Sequence, residues 1–122
     1  MIQPRSMLKV ADNSGAVLLQ VFHVLGGSRK RYARIGDIVV CAVKAAEPHK
    51  EIKKGSVVKA LLVRQKATFH RSDGTFIRFD ENAAVILDKG KEPKGGRIFG
   101  PLPREIKEKG YDTIISLAPE IV

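Results

Sequence analysis

The chain has 122 residues, 43% hydrophobic and 29% charged, which supplies one sizeable core within an ordinary globular balance. Its 22 Lys and Arg outnumber 13 Asp and Glu, giving a net charge of +9, and no apolar run reaches the ~18 residues that a membrane-crossing helix needs. The single cysteine, Cys41, excludes an internal disulfide and a cysteine-clustered zinc site.

Taken from the N-terminus, MIQPRSMLKVADNSG has no apolar stretch of secretory-signal length, so the expected setting is cytosolic or inside an organelle. Short β-rich runs separated by Gly, Pro and Asp then fill the first ninety residues. Strands are expected near 7–11, 17–25, 36–45, 56–66, 75–79 and 83–88. IVVCAV and VVKALLV are apolar on both faces. That suits a small closed barrel, although a sandwich fits the same pattern. Cys41 lies within such a run and reads as a small buried hydrophobe. KATFHRSDGTFIRF (66–79) has the form of a β-hairpin, with Ser72-Asp73-Gly74 at its tip supplying positive φ angles. Its polar share suggests an arm projecting from the barrel.

After Asp88 the texture changes. DKGKEPKGGRIFGPLP is a Gly-, Pro- and Lys-rich loop, and PREIKEKG is a short peripheral helix between Pro103 and Gly110 whose main apolar anchor is Ile106. YDTIISLAPEIV is apolar enough to be tied to the body. No linker divides the chain, so 1–122 is expected to be one domain.

Catalytic signatures fail on inspection. GKEPKGGR (90–97) has phosphate-loop spacing, but Gly96-Arg97 replaces the required Lys-Ser/Thr pair. The three histidines, His23, His49 and His70, show no ligand-pair spacing, and His23 reads as a core or wall residue of its strand. Asp80-Glu81 reads as a turn between strands. No catalytic residue, metal ligand, cofactor or small-molecule substrate is nominated.

The charge is informative because it is concentrated. Between Arg29 and Arg71, twelve Lys and Arg stand against Asp37, Glu47 and Glu51, which accounts for the whole net charge. Such a field attracts polyanions, and strand patterning favours nucleic acid over a membrane surface. Four features carry it. In GGSRKRYARIGD (26–37), Arg29, Lys30, Arg31 and Arg34 suit phosphates, and Tyr32 suits stacking on a base or sugar. Nothing nearby in sequence neutralises them before Asp37. Lys50, Lys53 and Lys54 form a second group, partly offset by Glu47 and Glu51. The hairpin arm adds Lys66, Arg71 and Arg78, and the glycine-rich loop 89–97 adds Lys94 and Arg97. With two Tyr, five Phe and no Trp, recognition of folded RNA by shape and phosphate fits better than a stacking platform.

ALLVRQKATFHRSDGTFIRFDENAAVI (60–86), flanked by IQPRSMLKVADNSGA, VLGGSRKRYARIGD, GRIFGPLPRE and IISLAPE in that order, resembles the universal large-subunit ribosomal protein fourteen family in its bacterial or organellar length. The likeness spans essentially the whole chain. It implies a mainly β protein: a five-stranded β-barrel with a projecting hairpin and a short helical C-terminal region, without catalysis. It implies binding to large-subunit (23S-type) rRNA and bridges to small-subunit rRNA, beside large-subunit ribosomal proteins three and nineteen. It also implies a docking surface for a ribosome-silencing factor around Arg97, Ile98, Phe99 and Thr113. Gly96 and Thr113 stand where the family commonly has threonine and lysine, and VLLQVFH (17–23) lacks the basic residues frequent there. A bacterial cytoplasmic ribosome is the expected location, with a mitochondrial or plastid ribosome as the alternative. A free-standing barrel-fold translation factor binding RNA or single-stranded DNA is the alternative function.

Overall fold

The computed structural model describes residues 2–26, 30–88 and 90–122. In chain order, β1 (Met7–Val10), β2 (Ala16–Val24), β3 (Ile38–Ala46) and β4 (Val57–Arg64) precede a two-stranded ribbon, β5 (Phe69–His70) and β6 (Phe76–Ile77). β7 (Ala83–Leu87) follows, and β1-β2-β3-β4-β7 close into a barrel. Every neighbouring pair is antiparallel except the closing seam, where β1 runs parallel to β7 with Lys9 opposite Ala83 and Val10 opposite Ala84.

Alternation along the strands separates two apolar layers. Inside the barrel lie Leu8, Leu19, Val21, Val39, Cys41, Val43, Ala60, Leu62, Ala84 and Ile86. The intervening residues of β4 and β7, namely Leu61, Val63, Ala83, Val85 and Leu87, point outward into a second cluster. This is why VVKALLV is apolar on both faces: a period-2 strand with both sides covered has no wet positions. The cover is the C-terminal region, formed by β8 (Pro101–Leu102), α1 (Glu105–Glu108), α2 (Asp112–Leu117) and β9 (Glu120–Ile121). It buries Leu102, Ile106, Tyr111 and Ile114 against the barrel wall, while β8 and β9 pair in parallel.

Several sequence expectations change. The strand expected over 75–79 contracts to Phe76–Ile77, paired with Phe69–His70 in a ribbon apart from the barrel. The arm does not stand free, because ion pairs Arg71–Glu105 and Arg104–Asp73 brace it against α1. Asp112–Leu117 forms a helix that the chain's tail did not advertise, since Thr-Ile-Ile is a poor local helix former. Burial of Ile114 decides the outcome there. His23 is exposed rather than walled in, because the register shifts between Val21 and His23 turn both Phe22 and His23 outward.

Two polar side chains fix the seam and the cover. Asp12, only 6% exposed, accepts hydrogen bonds from Ile86 N–H (2.9 Å), Ser14 N–H (3.1 Å) and Ser14 Oγ–H (2.5 Å). It therefore ties the end of β1 to β7 across 74 residues of sequence. Arg64, at the end of β4, donates to the carbonyls of Phe99 (3.0 Å) and Pro101 (3.4 Å) and pairs with Glu81 at 3.4 Å. Burial lowers the Arg64 guanidinium below its ordinary pKa, and the charge of Glu81 opposes that shift. Gly100 has φ +82°, and a Cβ there would fall 2.0 Å from Arg64 Nη1, so glycine is required where this guanidinium crosses the chain.

Asp12→Ala should destabilise the protein by about 2–3 kcal/mol in urea unfolding, because a buried amide N–H loses its acceptor. Asp12→Asn should also destabilise it, because both carboxylate oxygens accept and the new NH2 would face either the Ile86 or the Ser14 N–H. Burial pushes the Cys41 thiol up to about 12. Native protein at pH 8 should therefore resist a disulfide-exchange reagent until denaturant opens the barrel.

Candidate nucleic-acid interface

Strand directions sort the basic groups between the two ends of the barrel. β1 and β7 both run toward the end that carries loops 11–15, 47–56 and 88–97. β2 and β4 run the opposite way, toward loop 25–37 and the hairpin arm. An eight-residue strand such as β4 spans roughly 25 Å, so the two groups are well separated.

At the first end, two stretches that are distant in sequence meet. Asn13 Oδ1 accepts from Arg97 N–H at 3.1 Å, and Gly15 O accepts from Glu47 N–H at 2.8 Å. Lys94 Nζ reaches Glu51 at 3.5 Å. Lys50, Lys53 and Lys54 thus lie beside Lys94 and Arg97 around the Asn13–Gly15 turn. Among the described residues, Lys50, Lys53, Lys54 and Arg97 form no ion pair, and all four are exposed. The second and fourth sequence-derived groups are therefore one surface.

At the other end, Lys30, Arg31, Tyr32 and Arg34 line a cleft of about 390 Å³ together with Asp37 and Lys109. Arg29 lies outside the described residues. The turn that builds the cleft is fixed by backbone: Asp37 N–H donates to Arg34 O at 3.0 Å, Gly36 N–H donates to Leu62 O of β4 at 2.8 Å, and Leu62 N–H donates back to Asp37 O at 2.9 Å. Gly36 has φ +91° and lies under the stem of Lys109, whose Cδ would be 2.4 Å from an added Cβ. Tyr32 is 46% exposed, with its ring available to a partner.

Contrary to the expectation of an unneutralised loop, Asp37 matches part of this charge. Its carboxylate takes Lys30 Nζ at 3.0 Å, Lys109 Nζ at 3.7 Å and Arg34 N–H at 2.9 Å. Lys109 escaped the sequence reading because it stands 79 residues after Lys30, and only the packing of α1 on the barrel joins them. Tyr111 packs nearby beneath Lys91, whose Nζ is 5.1 Å from the ring centroid. Burial pushes the Tyr111 phenol up, and the charge of Asp37 adds to the shift.

The hairpin cations divide. Lys66 and Arg78 are exposed. Arg71 instead forks onto Glu105, with Nε donating at 2.9 Å and Nη2 at 2.8 Å, and Nη2 also donates to Val122 O at 2.6 Å. It is a brace between arm and helix. Of the residues named for protein docking, Arg97 and Thr113 are exposed and Phe99 is 49% exposed, whereas Ile98 is 3% exposed within the outer apolar layer. The ring of Phe99 is presented on a backbone held at both polar groups, by Ala11 O at 2.7 Å and by Arg64.

Arg71→Ala should lower unfolding free energy by about 2 kcal/mol, as expected for breaking a largely buried, forked ion pair. Lys66→Ala should stay within about 0.5 kcal/mol, as exposed substitutions do. Parallel urea titrations compare them.

A protein-family model described as Ribosomal protein L14p/L23e matches residues 1–122, the whole chain.

Proposed function

The chain belongs to the ribosomal protein L14p/L23e family, whose members are structural constituents of the ribosome, and from that premise we propose that it binds large-subunit (23S-type) rRNA and helps form bridges to small-subunit rRNA. The observation that carries this reading is the collection of basic side chains at both ends of one rigid barrel. Lys30, Arg31, Tyr32 and Arg34, with Lys66 and Arg78 on the arm, face one stretch of RNA, and Arg29 is proposed for the same contact from the sequence alone. Lys50, Lys53, Lys54, Lys94 and Arg97 face another. Arg71 serves the same surface indirectly, by holding the arm on α1.

Phosphate neutralisation releases counterions, so each cation contributes to affinity without reading sequence. A closed barrel suits that task, because its ends are held at a fixed separation and ordering them on RNA adds little entropic cost. The role is structural rather than catalytic, and the working unit is one domain over residues 1–122. Large-subunit ribosomal proteins three and nineteen are the proposed protein neighbours. A ribosome-silencing factor is the proposed visitor to Arg97, Phe99 and Thr113, while Ile98 is buried in the outer apolar layer beside them in sequence. A bacterial cytoplasmic ribosome is the proposed setting, with mitochondrial and plastid ribosomes as alternatives.

The competing reading is a free-standing translation factor that binds RNA or single-stranded DNA. Sedimentation of lysate through sucrose at moderate salt separates them. The expected result is one-to-one comigration with large subunits, whereas protein remaining at the top of the gradient would favour the free factor. Replacing Arg29, Lys30, Arg31 and Arg34 together by alanine should reduce incorporation into large subunits at least several-fold. Unchanged incorporation would remove that loop from the interface.

A further inference from the structure

Asp37 is placed unlike any other acid of the basic stretch. Its side chain is mostly buried, and its two oxygens are divided between cations from different parts of the chain: Oδ2 takes Lys30 and Oδ1 takes Lys109. One anion bridging two ammonium groups is the arrangement a phosphodiester would adopt in the same cleft, through its two non-bridging oxygens. The backbone gives the carboxylate little freedom to leave, since residues 34–37 form a tight turn anchored to β4. Arg31, Arg34 and Tyr32 line the same cleft without sharing that carboxylate through their side chains.

From this geometry, and resting on the RNA-binding reading above, we infer that Asp37 is a resident counter-ion that makes the cleft selective. It holds Lys30 and Lys109 in place in the free protein and competes with any incoming phosphate for them. A flexible polyanion that offers only phosphates must displace Asp37 without compensation. A folded RNA that also reaches Arg31, Arg34 and Tyr32 overcomes the competition. Asp37 thus lowers non-specific binding more than binding to the fitted RNA, a specificity device built from repulsion as much as attraction.

The test uses the full chain, with fluorescent poly(U) as the unstructured probe and deproteinised large-subunit rRNA as the folded one. Asp37→Asn keeps an acceptor for Arg34 N–H and removes the charge. It should tighten poly(U) binding about 3- to 10-fold at ~0.1 M salt and steepen the slope of log Kobs against log[salt] by ~0.7 for each cation released. Affinity for the rRNA should change less than about twofold, so that discrimination falls. Lys109→Gln, at an exposed side chain, provides the second arm. It should cost ~0.7 of slope on poly(U) in the Asp37→Asn background but less than half of that when Asp37 is present. Equal costs in both backgrounds, or an unchanged poly(U) slope in a folded Asp37→Asn protein, would overturn the inference. If the unaltered protein fails to bind the rRNA at all, it is the broader RNA-binding reading that fails.

Discussion

Closing five strands into a barrel leaves one seam that no hairpin can make, and here it is the parallel pairing of β1 with β7. The two strands are separated by most of the chain, so their union must overcome a long loop-closure entropy before it returns any contact energy. Asp12 is the group that secures it. Its carboxylate accepts the Ile86 amide on one side and the Ser14 turn on the other. The adjoining residues continue the stitch: Ala11 N–H bonds Ala84 O, Ala11 O accepts from Phe99 N–H, and Asn13 accepts from Arg97 N–H. The same short turn therefore shuts the barrel, registers the C-terminal cover and positions one of the two basic surfaces.

The cover explains how a barrel with a small interior becomes a firm platform. Leu61, Val63, Val85 and Leu87 would be exposed apolar surface on an isolated barrel, and the C-terminal region removes them from water. Arg64 locks that region at Gly100, and Arg71 fastens the hairpin arm to α1 from the other side. Buried polar groups of this kind add less net stability than their contacts suggest, because desolvation offsets attraction. What they provide is a single geometry. Each joins elements at least 30 residues apart in sequence, and each is destabilising only when one partner is removed.

Much of this was legible in the sequence, for definite reasons. Period-2 patterning with two apolar faces marked β3, β4 and β7, and Asp73-Gly74 marked the hairpin tip. Gly110 lies just past α1, as a helix stop should. What escaped depended on contacts between distant residues. α2 runs against local propensity and forms because Ile114 has a site in the outer layer. The exposure of His23 follows from a register irregularity that no composition reveals. The basic residues were found as types, but their grouping was not. Lys50 and Arg97 are 47 residues apart yet share one end of the barrel, and Lys109 joins Lys30 only through tertiary packing.

Net charge counted along a chain overstates the field a partner meets, and this protein shows where the difference arises. Arg71 is consumed by Glu105, Lys94 leans toward Glu51, and Lys30 shares Asp37 with Lys109. The exposed pair among these, Lys94–Glu51, is worth little in water and is readily exchanged for phosphate, because screening and side-chain entropy leave it with at most about 1 kcal/mol. The buried fork of Arg71 is not exchangeable on those terms, since releasing it would strand Glu105 and loosen the arm. The cations of the protein thus fall into two physical kinds despite identical chemistry. Some are fixed in the architecture, and others are held lightly by acids that a polyanion can replace. An electrostatic interface is defined by the second kind, and burial rather than sequence density decides which cations belong to it.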